Sequence, residues 1–501
     1  MKETSYVQLM KKFKEIAILE SLRSILFWDL NTGMPPNGLE FRSEQSAWLQ
    51  QQLHKRWTHP KFLELVSVCE KNDNLDPVQK RNIVLCRREV ENRTSLPLNL
   101  VQELAKQANL TQEIWKRAKI TNSFNKVKPA LARLFELNLK RASLIADNKN
   151  INDPYNALIG LRDPGLTADF LTSLFDDAKS TSISLIKRIG NSTQTGGRIL
   201  AREVPLSTQK AIIHDLSKVL GYSKENGRID QVEHPITFGC GPQDVRVTVK
   251  YHKTHVFKAI SAFIHECGHA IHGLQKNREW FHQPVNFIGY PSISESQSRF
   301  FENIIGLSHE FWSFYYPRFQ KLAERIFDDV SFDEFYSAIN TIKPGKIRID
   351  ADELTYLLHI VIRFELERDL FAGLIGTDDL PELWNEKYER YLGVEVDSDS
   401  NGVMQDIHWY SHYWGYFFGY SLGDMISSQF LSALTRELKD WRHSLEQGEV
   451  TPILTWLAQN IHSKGALFDS LDLVRKVSGE ELKTRYYKNY LNQKYMQLYD
   501  L

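Results

Sequence analysis

A mainly α-helical fold with one small β element is what this chain of 501 residues predicts, and three observations predict it. Apolar residues recur at helical spacing in segment after segment, one stretch alone alternates with period two, and no internal repeat or low-complexity tract breaks the pattern. With 42% hydrophobic residues the chain has enough apolar material to bury a sizeable core.

The first helix is expected at the N-terminus, where Val7, Met10, Phe13, Ile16, Ile18, Leu19 and Leu22 follow near-helical spacing. Similar patterns run from Phe170 to Ile189, Phe311 to Ile326, Leu354 to Leu370 and Met425 to Leu438. Met34-Pro35-Pro36-Asn37-Gly38, Thr195-Gly196-Gly197 and Gly376 to Pro381 punctuate these helices as loops, none long enough to be a domain linker. Residues 1–501 are therefore expected to form a single catalytic unit, with room for two lobes. The strand signal is Val245, Val247, Val249 and Tyr251 alternating with Arg246, Thr248 and Lys250. If its edge is exposed, an extended peptide can add to it through main-chain hydrogen bonds. A small packing sheet is the plainer alternative.

Charge excludes some partners. Lys plus Arg and Asp plus Glu are each 62, so there is no basic field to attract nucleic acid or an anionic membrane. The N-terminus mixes charge into every turn, unlike a secretory signal, and no run of apolar residues is long enough to span a bilayer. Cys69, Cys86, Cys240 and Cys267 are few and scattered, which suits a reducing compartment, and a cytoplasmic protein is expected.

After the strand, Thr254 is the expected N-cap of a helix carrying Val256, Phe257, Ile260, Phe263, Ile264 and Ile271 on its apolar face. His265-Glu266-Cys267-Gly268-His269 lies on it. Histidines at i and i+4 share a helix face, so His265 and His269 can both reach one zinc ion. Glu266 can then take the proton of a water that the ion acidifies, as general base. Gly268 in mid-helix points to close backbone packing. The pattern is short, and two ordinary helix histidines satisfy it equally. A third ligand decides between these readings, and Glu295, 26 residues past His269 in a new helical pattern, is the candidate. Arg299, four residues on, is placed to orient Glu295. His408 and His412 share this spacing without a following glutamate and read as cleft or core residues; His252 and His255 read as structural, and His272, three past His269, is near enough to brush the site but lacks the supporting context that Glu295 has.

Several stretches in the same order resemble the carboxypeptidase Taq family of zinc metallocarboxypeptidases. They are Trp28-Asp29, Met34-Pro35-Pro36, Arg42, His234-Pro235, Asp244-Val245-Arg246-Val247-Thr248, the histidine motif, Glu295-Ser296-Gln297, Ile347-Arg348-Ile349-Asp350-Ala351-Asp352 and Gly402-Val403-Met404-Gln405-Asp406-Ile407-His408-Trp409. The resemblance implies a helical fold with a deep substrate groove, a small sheet beside the metal and a homodimer. It implies release of single residues from peptide C-termini with broad specificity. By motif, His265, His269 and Glu295 bind the metal, Glu266 is the base and Arg348 receives the terminal carboxylate. A guanidinium suits that task because it offers a carboxylate two parallel hydrogen bonds.

Arg348 equally fits an ion pair with Asp350, Asp352 or Glu353, and Arg246, a second substrate-binding candidate, fits one with Asp244. Tyr420, Tyr416 and His408 are candidates to donate to the developing oxyanion; each phenol can instead be a packed aromatic. Ser294, Ile236 and Phe418 depart from the family's usual histidine, phenylalanine and proline. Zinc is the expected metal, and cobalt or manganese also suits two imidazoles and a carboxylate. The competing functions are a metallo-oligopeptidase or dipeptidyl carboxypeptidase with the same chemistry, and an inactive peptide-binding remnant.

Overall fold

The computed structural model describes residues 3–190 and 199–501; the Thr195-Gly196-Gly197 loop expected from the sequence lies outside them. The fold is mainly helical with one three-stranded sheet. The chain divides into two compact units. One comprises Met1–Arg93, Thr195–Ile339 and Ile426–Glu481, and the other Thr94–Gln194, Asn340–Met425 and Leu482–Leu501.

In the first unit the opening helix, Ser5–Thr32, buries Leu9, Phe13, Ile16 and Ala17 against Leu53, Trp57, Phe62 and Leu65 of the helices that follow. Val7, Ile18 and Leu22, expected on that face, are instead exposed. The stripe runs through Leu9, Phe13 and Ile16, at i, i+4 and i+7, and the other three stand off it. The sheet comprises β1 (Ile229–Gln231), β2 (Thr237–Gly241) and β3 (Asp244–Val249) in the order β1-β3-β2. β1 runs parallel and β2 antiparallel to β3.

The expected strand is thus the central one, paired on both sides, and cannot accept a further strand. Its alternation separates two faces with different partners. Val245 lies against the helix Val256–Leu274 at Gly273, while Arg246 lies under Trp28 of the opening helix, 4.2 Å from its ring centroid.

In the second unit the helices Leu98–Ile120 and Phe124–Lys149 pair through Leu100, Leu104, Ala108, Leu134 and Leu137. The helix Glu353–Phe371 is buried nearly all round, so it shows little one-sided apolar stripe. Its buried carboxylate Glu367 is matched. Glu367 accepts from Trp409 Nε1 (2.7 Å), Tyr155 Oη (2.9 Å) and Gly415 N (2.9 Å), pinning the aromatic segment after Asp406. Gly415 is required there: it has φ +63° and a Cβ would meet Leu158 Cβ at 2.9 Å. Among the described residues no helix is long and apolar enough to cross a membrane.

Candidate active site

The helix carrying the two histidines spans Val256–Leu274. It starts one residue later than expected: His255, not Thr254, is its N-cap residue, and the Thr254 hydroxyl meets His255 Nδ1 at 2.9 Å. Val256, Ile260, Phe263, Ile264 and Ile271 bury its apolar side. After Trp280 a short helix, Pro284–Phe287, precedes the helix Pro291–Arg299 that brings in Glu295.

These two helices touch at Gly268, where a Cβ would stand 2.7 Å from both Gln297 O and Ser298 Cα. Glycine is what allows Glu295 to reach the histidines. Glu295 Oε2 lies 3.8 Å from His265 Nε2 and 3.9 Å from His269 Nε2, and the three ligand atoms fall within 4.8 Å of one another.

The far side of each ring is engaged. His265 Nδ1 meets Glu302 Oε2 at 2.8 Å, and His269 Nδ1 meets Ser294 Oγ at 3.0 Å. Occupied Nδ1 atoms leave Nε2 facing Glu295, the arrangement by which histidine ligands are oriented. Ser294, where the family carries histidine, therefore still orients His269. Arg299 acts one step further out than expected. Its Nη1 donates to Glu302 Oε2 at 2.7 Å, while Glu295 Oε2 accepts from Ser298 Oγ at 3.0 Å.

Burial opposes charge on His265, but Glu302, Glu295 and Glu266 outweigh it and raise the imidazole to about 9. Burial likewise opposes charge on Glu302, yet Arg299 and His265 hold it down at about 2. On His269 burial prevails and its pKa is lowered. A field that grips a proton this firmly also favours a cation, and two imidazoles with a carboxylate are donors a first-row divalent ion accepts. The residues present fit a metal. Cys267, between the ligands, is fully buried and burial pushes its thiol up, which leaves it inert.

Glu266 is buried beside this group. Thr237 Oγ1 of β2 donates to its Oε2 at 2.6 Å and to its main-chain oxygen at 2.9 Å. β2 is an edge strand. Val245 N donates to Asn226 O and Val247 N to Arg228 O, so these β3 residues turn their main-chain groups away from β2. Their partners across the pair, Gly239 and Thr237, must then turn theirs outward.

His272 packs on His462, ring centroids 5.0 Å apart. Arg246 forms a two-bonded pair with Asp244 (2.8 and 2.6 Å) on the sheet face opposite the histidine helix, so it is not brought to the metal ligands.

The second unit gathers the other candidates. Arg348 lies in a one-turn helix and is buried. Its partner is none of the neighbours expected from the sequence but Asp406, whose Oδ1 accepts from Nε (3.1 Å) and Nη2 (2.8 Å); Nη1 donates to Tyr356 Oη (3.0 Å). Asp352 instead caps the following helix, and Glu353 accepts from Tyr490 and Tyr495. Asp406 Oδ2 takes the fully buried Arg363 at 2.7 and 2.6 Å.

Burial disfavours the Asp406 charge, but Arg363 and Arg348 hold its carboxyl far below the usual range. Burial, with Arg348 and Arg363, lowers His408 to about 4 against the pull of Asp406, so the ring is neutral near pH 7. Tyr420 stands 5.3 Å from the Arg348 guanidinium by ring centroid, and Tyr416 packs edge-on to Tyr420 at 5.6 Å.

Glu302, Thr237, Asp406 and Arg363 were missed by sequence reasoning. Two of them left a signal: Asp406 stands inside the quoted Gly402-to-Trp409 motif, and Glu302 lies seven residues, two helical turns, beyond Glu295.

A helical fold with a His-His-Glu cluster defines a metallopeptidase-type chain, and comparison with known proteins narrows the class. Residues 8–495 match the family described as Carboxypeptidase Taq (M32) metallopeptidase, and the chain belongs to that family. It is 35% identical to carboxypeptidase 1 of Bacillus subtilis over 492 residues, covering 97% of each chain. It is 34% identical to thermostable carboxypeptidase 1 of Thermus thermophilus over 507 residues, covering 99% of each. The crystal structure of an M32 carboxypeptidase from Deinococcus radiodurans R1 superposes with a TM-score of 0.97 at 29% identity, over 100% of both chains. The protein is thus a metallocarboxypeptidase, a hydrolase of peptide bonds, whose family implies zinc.

Proposed function

We propose that the protein removes single residues from the free C-termini of peptides with broad specificity. The observation that carries this reading is the convergence of His265 Nε2, His269 Nε2 and Glu295 Oε2 with Glu266 buried alongside. His265, His269 and Glu295 would hold the ion, with zinc as its natural identity and cobalt or manganese as substitutes. A bound divalent ion supplies Lewis acidity, acidifying water and polarising the scissile carbonyl.

The chain's own residues do the rest. Glu266 accepts the proton of the attacking water and delivers it to the leaving nitrogen; Thr237, donating to Glu266 Oε2, keeps that carboxylate turned to its task. The substrate lies extended along the outer edge of β2. Arg348 receives the terminal carboxylate, with one edge of its guanidinium braced by Asp406, one Nη1 proton on Tyr356 Oη, and the remaining Nη protons for the substrate. Tyr420, Tyr416 and neutral His408 are the oxyanion donors of this scheme.

The sequence resemblance further supports a homodimer. The four cysteines, all free and buried, suit a reducing, cytoplasmic setting.

The test offers the metal-loaded protein an N-terminally blocked peptide as free acid and as C-terminal amide. Loss of one residue at a time from the free acid alone, stopped by a chelator, supports the reading. Release of dipeptides, or cleavage inside the amide, overturns it.

A further inference from the structure

His265, His269 and His272 lie on the helix Val256–Leu274, and Lys276 follows its last residue by two positions. β2 runs alongside in the same sense. Thr237 meets Glu266, and Val245, the partner of Gly239, meets Gly273.

Beside β2, within the first unit, lies a cavity of about 430 Å³. Its walls include Gly239 and Gly241 of β2, Ser21 of the opening helix, Phe281, Asn286 and Lys276. Gly239 leaves the space open, since a Cβ there would meet nothing within 4 Å.

Two polar groups of this cavity are incompletely matched. Lys276 has no carboxylate within ion-pair distance among the described residues, and its amine donates to Asn286 O at 3.0 Å. Burial lowers it to about 8, so it stays mostly protonated at neutral pH. Asn286 is nine-tenths buried, and its Oδ1 has no partner among the described residues. Glu20, the acid on the wall, already accepts from Arg23 at 2.6 Å, so the charge left over is that of Lys276.

We propose that this cavity is a subsite for an acidic side chain located two to four residues upstream of the cleaved bond. The inference rests on the carboxypeptidase reading and on a substrate added antiparallel to β2. With the scissile bond beside Thr237 and Glu266, such a chain runs its upstream residues past Gly239 and Gly241. Gly239 and Gly241 stand two and four residues along β2 from Thr237 and line the cavity together with Lys276, so the residues two to four upstream of the bond come opposite it. The Lys276 ammonium pairs with the carboxylate.

The experiment uses blocked hexapeptide free acids with Glu, Gln or Lys placed singly at positions two to five upstream of the scissile bond. Within the wild type, Glu at one position is expected to exceed Gln by about tenfold in kcat/KM, chiefly through KM, as one charge-assisted contact allows. Lys there falls below Gln. In Lys276→Met the Glu-to-Gln ratio collapses to about one, and Lys276→Arg restores part of it; a ratio within one variant does not depend on how much protein folds. Equal rates for Glu, Gln and Lys at every position, or a Glu preference that survives Lys276→Met, overturn the subsite.

A blocked dipeptide too short to reach the cavity reports separately on the carboxypeptidase reading. If it is not cut, that reading fails, and anisotropy of labelled amidated Glu and Gln peptides with wild type and Lys276→Met still decides the subsite.

Discussion

The metal-ligand cluster of the first unit and the guanidinium cluster of the second follow one electrostatic plan with opposite sign. Around the histidines stand Glu266, Glu295 and Glu302 against Arg299, an excess of negative charge. Around Asp406 stand Arg348 and Arg363, an excess of positive charge. Buried charge is costly unless matched, and each cluster is short of the charge its proposed guest brings, a divalent cation in one and a carboxylate in the other. The difference lies in construction. The first is built from neighbouring helices joined at a glycine, the second from segments 58 residues apart in sequence.

Five substitutions break or sharpen this comparison, from the largest effect to the smallest. Glu266→Gln removes the base without touching a ligand. The expected outcome is a fall in kcat of about 10²–10⁴-fold, with metal content by atomic absorption unchanged; a variant that keeps its rate sinks the assignment.

Asp406→Asn leaves two buried guanidiniums without their shared carboxylate and should cost about 3–5 kcal/mol of stability in denaturant unfolding. The sign of its pH dependence follows from the depressed Asp406 pKa. Such a group contributes stability in full above its unfolded value of about 4 and loses it as pH falls further. Wild type should therefore lose more stability than Asp406→Asn on acidification below about pH 4; parallel curves would contradict the pairing.

Arg348→Met is expected to lower kcat/KM for free-acid peptides by about 10²-fold and to narrow the gap between acid and amide. A gap of unchanged size would move carboxylate recognition elsewhere.

Gly268→Ala pushes a methyl into the main chain at Gln297 and Ser298, which cannot yield as a flexible side chain would. A loss of about 1–3 kcal/mol in melting experiments, with weaker metal retention, is expected. Ser294→Ala removes the contact to His269 Nδ1 alone and should weaken metal affinity by about tenfold in competition with a chelator; no change would make that hydroxyl incidental.

What was legible in advance differs between the clusters for the same reason. The two histidines and Glu266 follow from helical periodicity, and Gly268 announced the close packing that admits Glu295. Arg348 was legible through its motif, yet its partner was sought among Asp350, Asp352 and Glu353, because sequence proximity is the only distance a sequence displays. Arg246 and its near neighbour Asp244 did pair as the plainer alternative held. β3 was visible as a strand, but alternation reports burial of a face and not the presence of a neighbour, so its central place was hidden.

By itself the sequence determined the helical character, the single sheet and the face-sharing histidines, since these depend on spacings of a few residues along one chain direction. Only the tertiary structure decided that Glu302 and Ser294 turn the imidazoles, that Thr237 holds Glu266, that β2 is the edge, and that Asp406 joins Arg348 to Arg363. Those pairings form where buried charges must find partners across chain crossings, and no local periodicity encodes which crossing will bring them together.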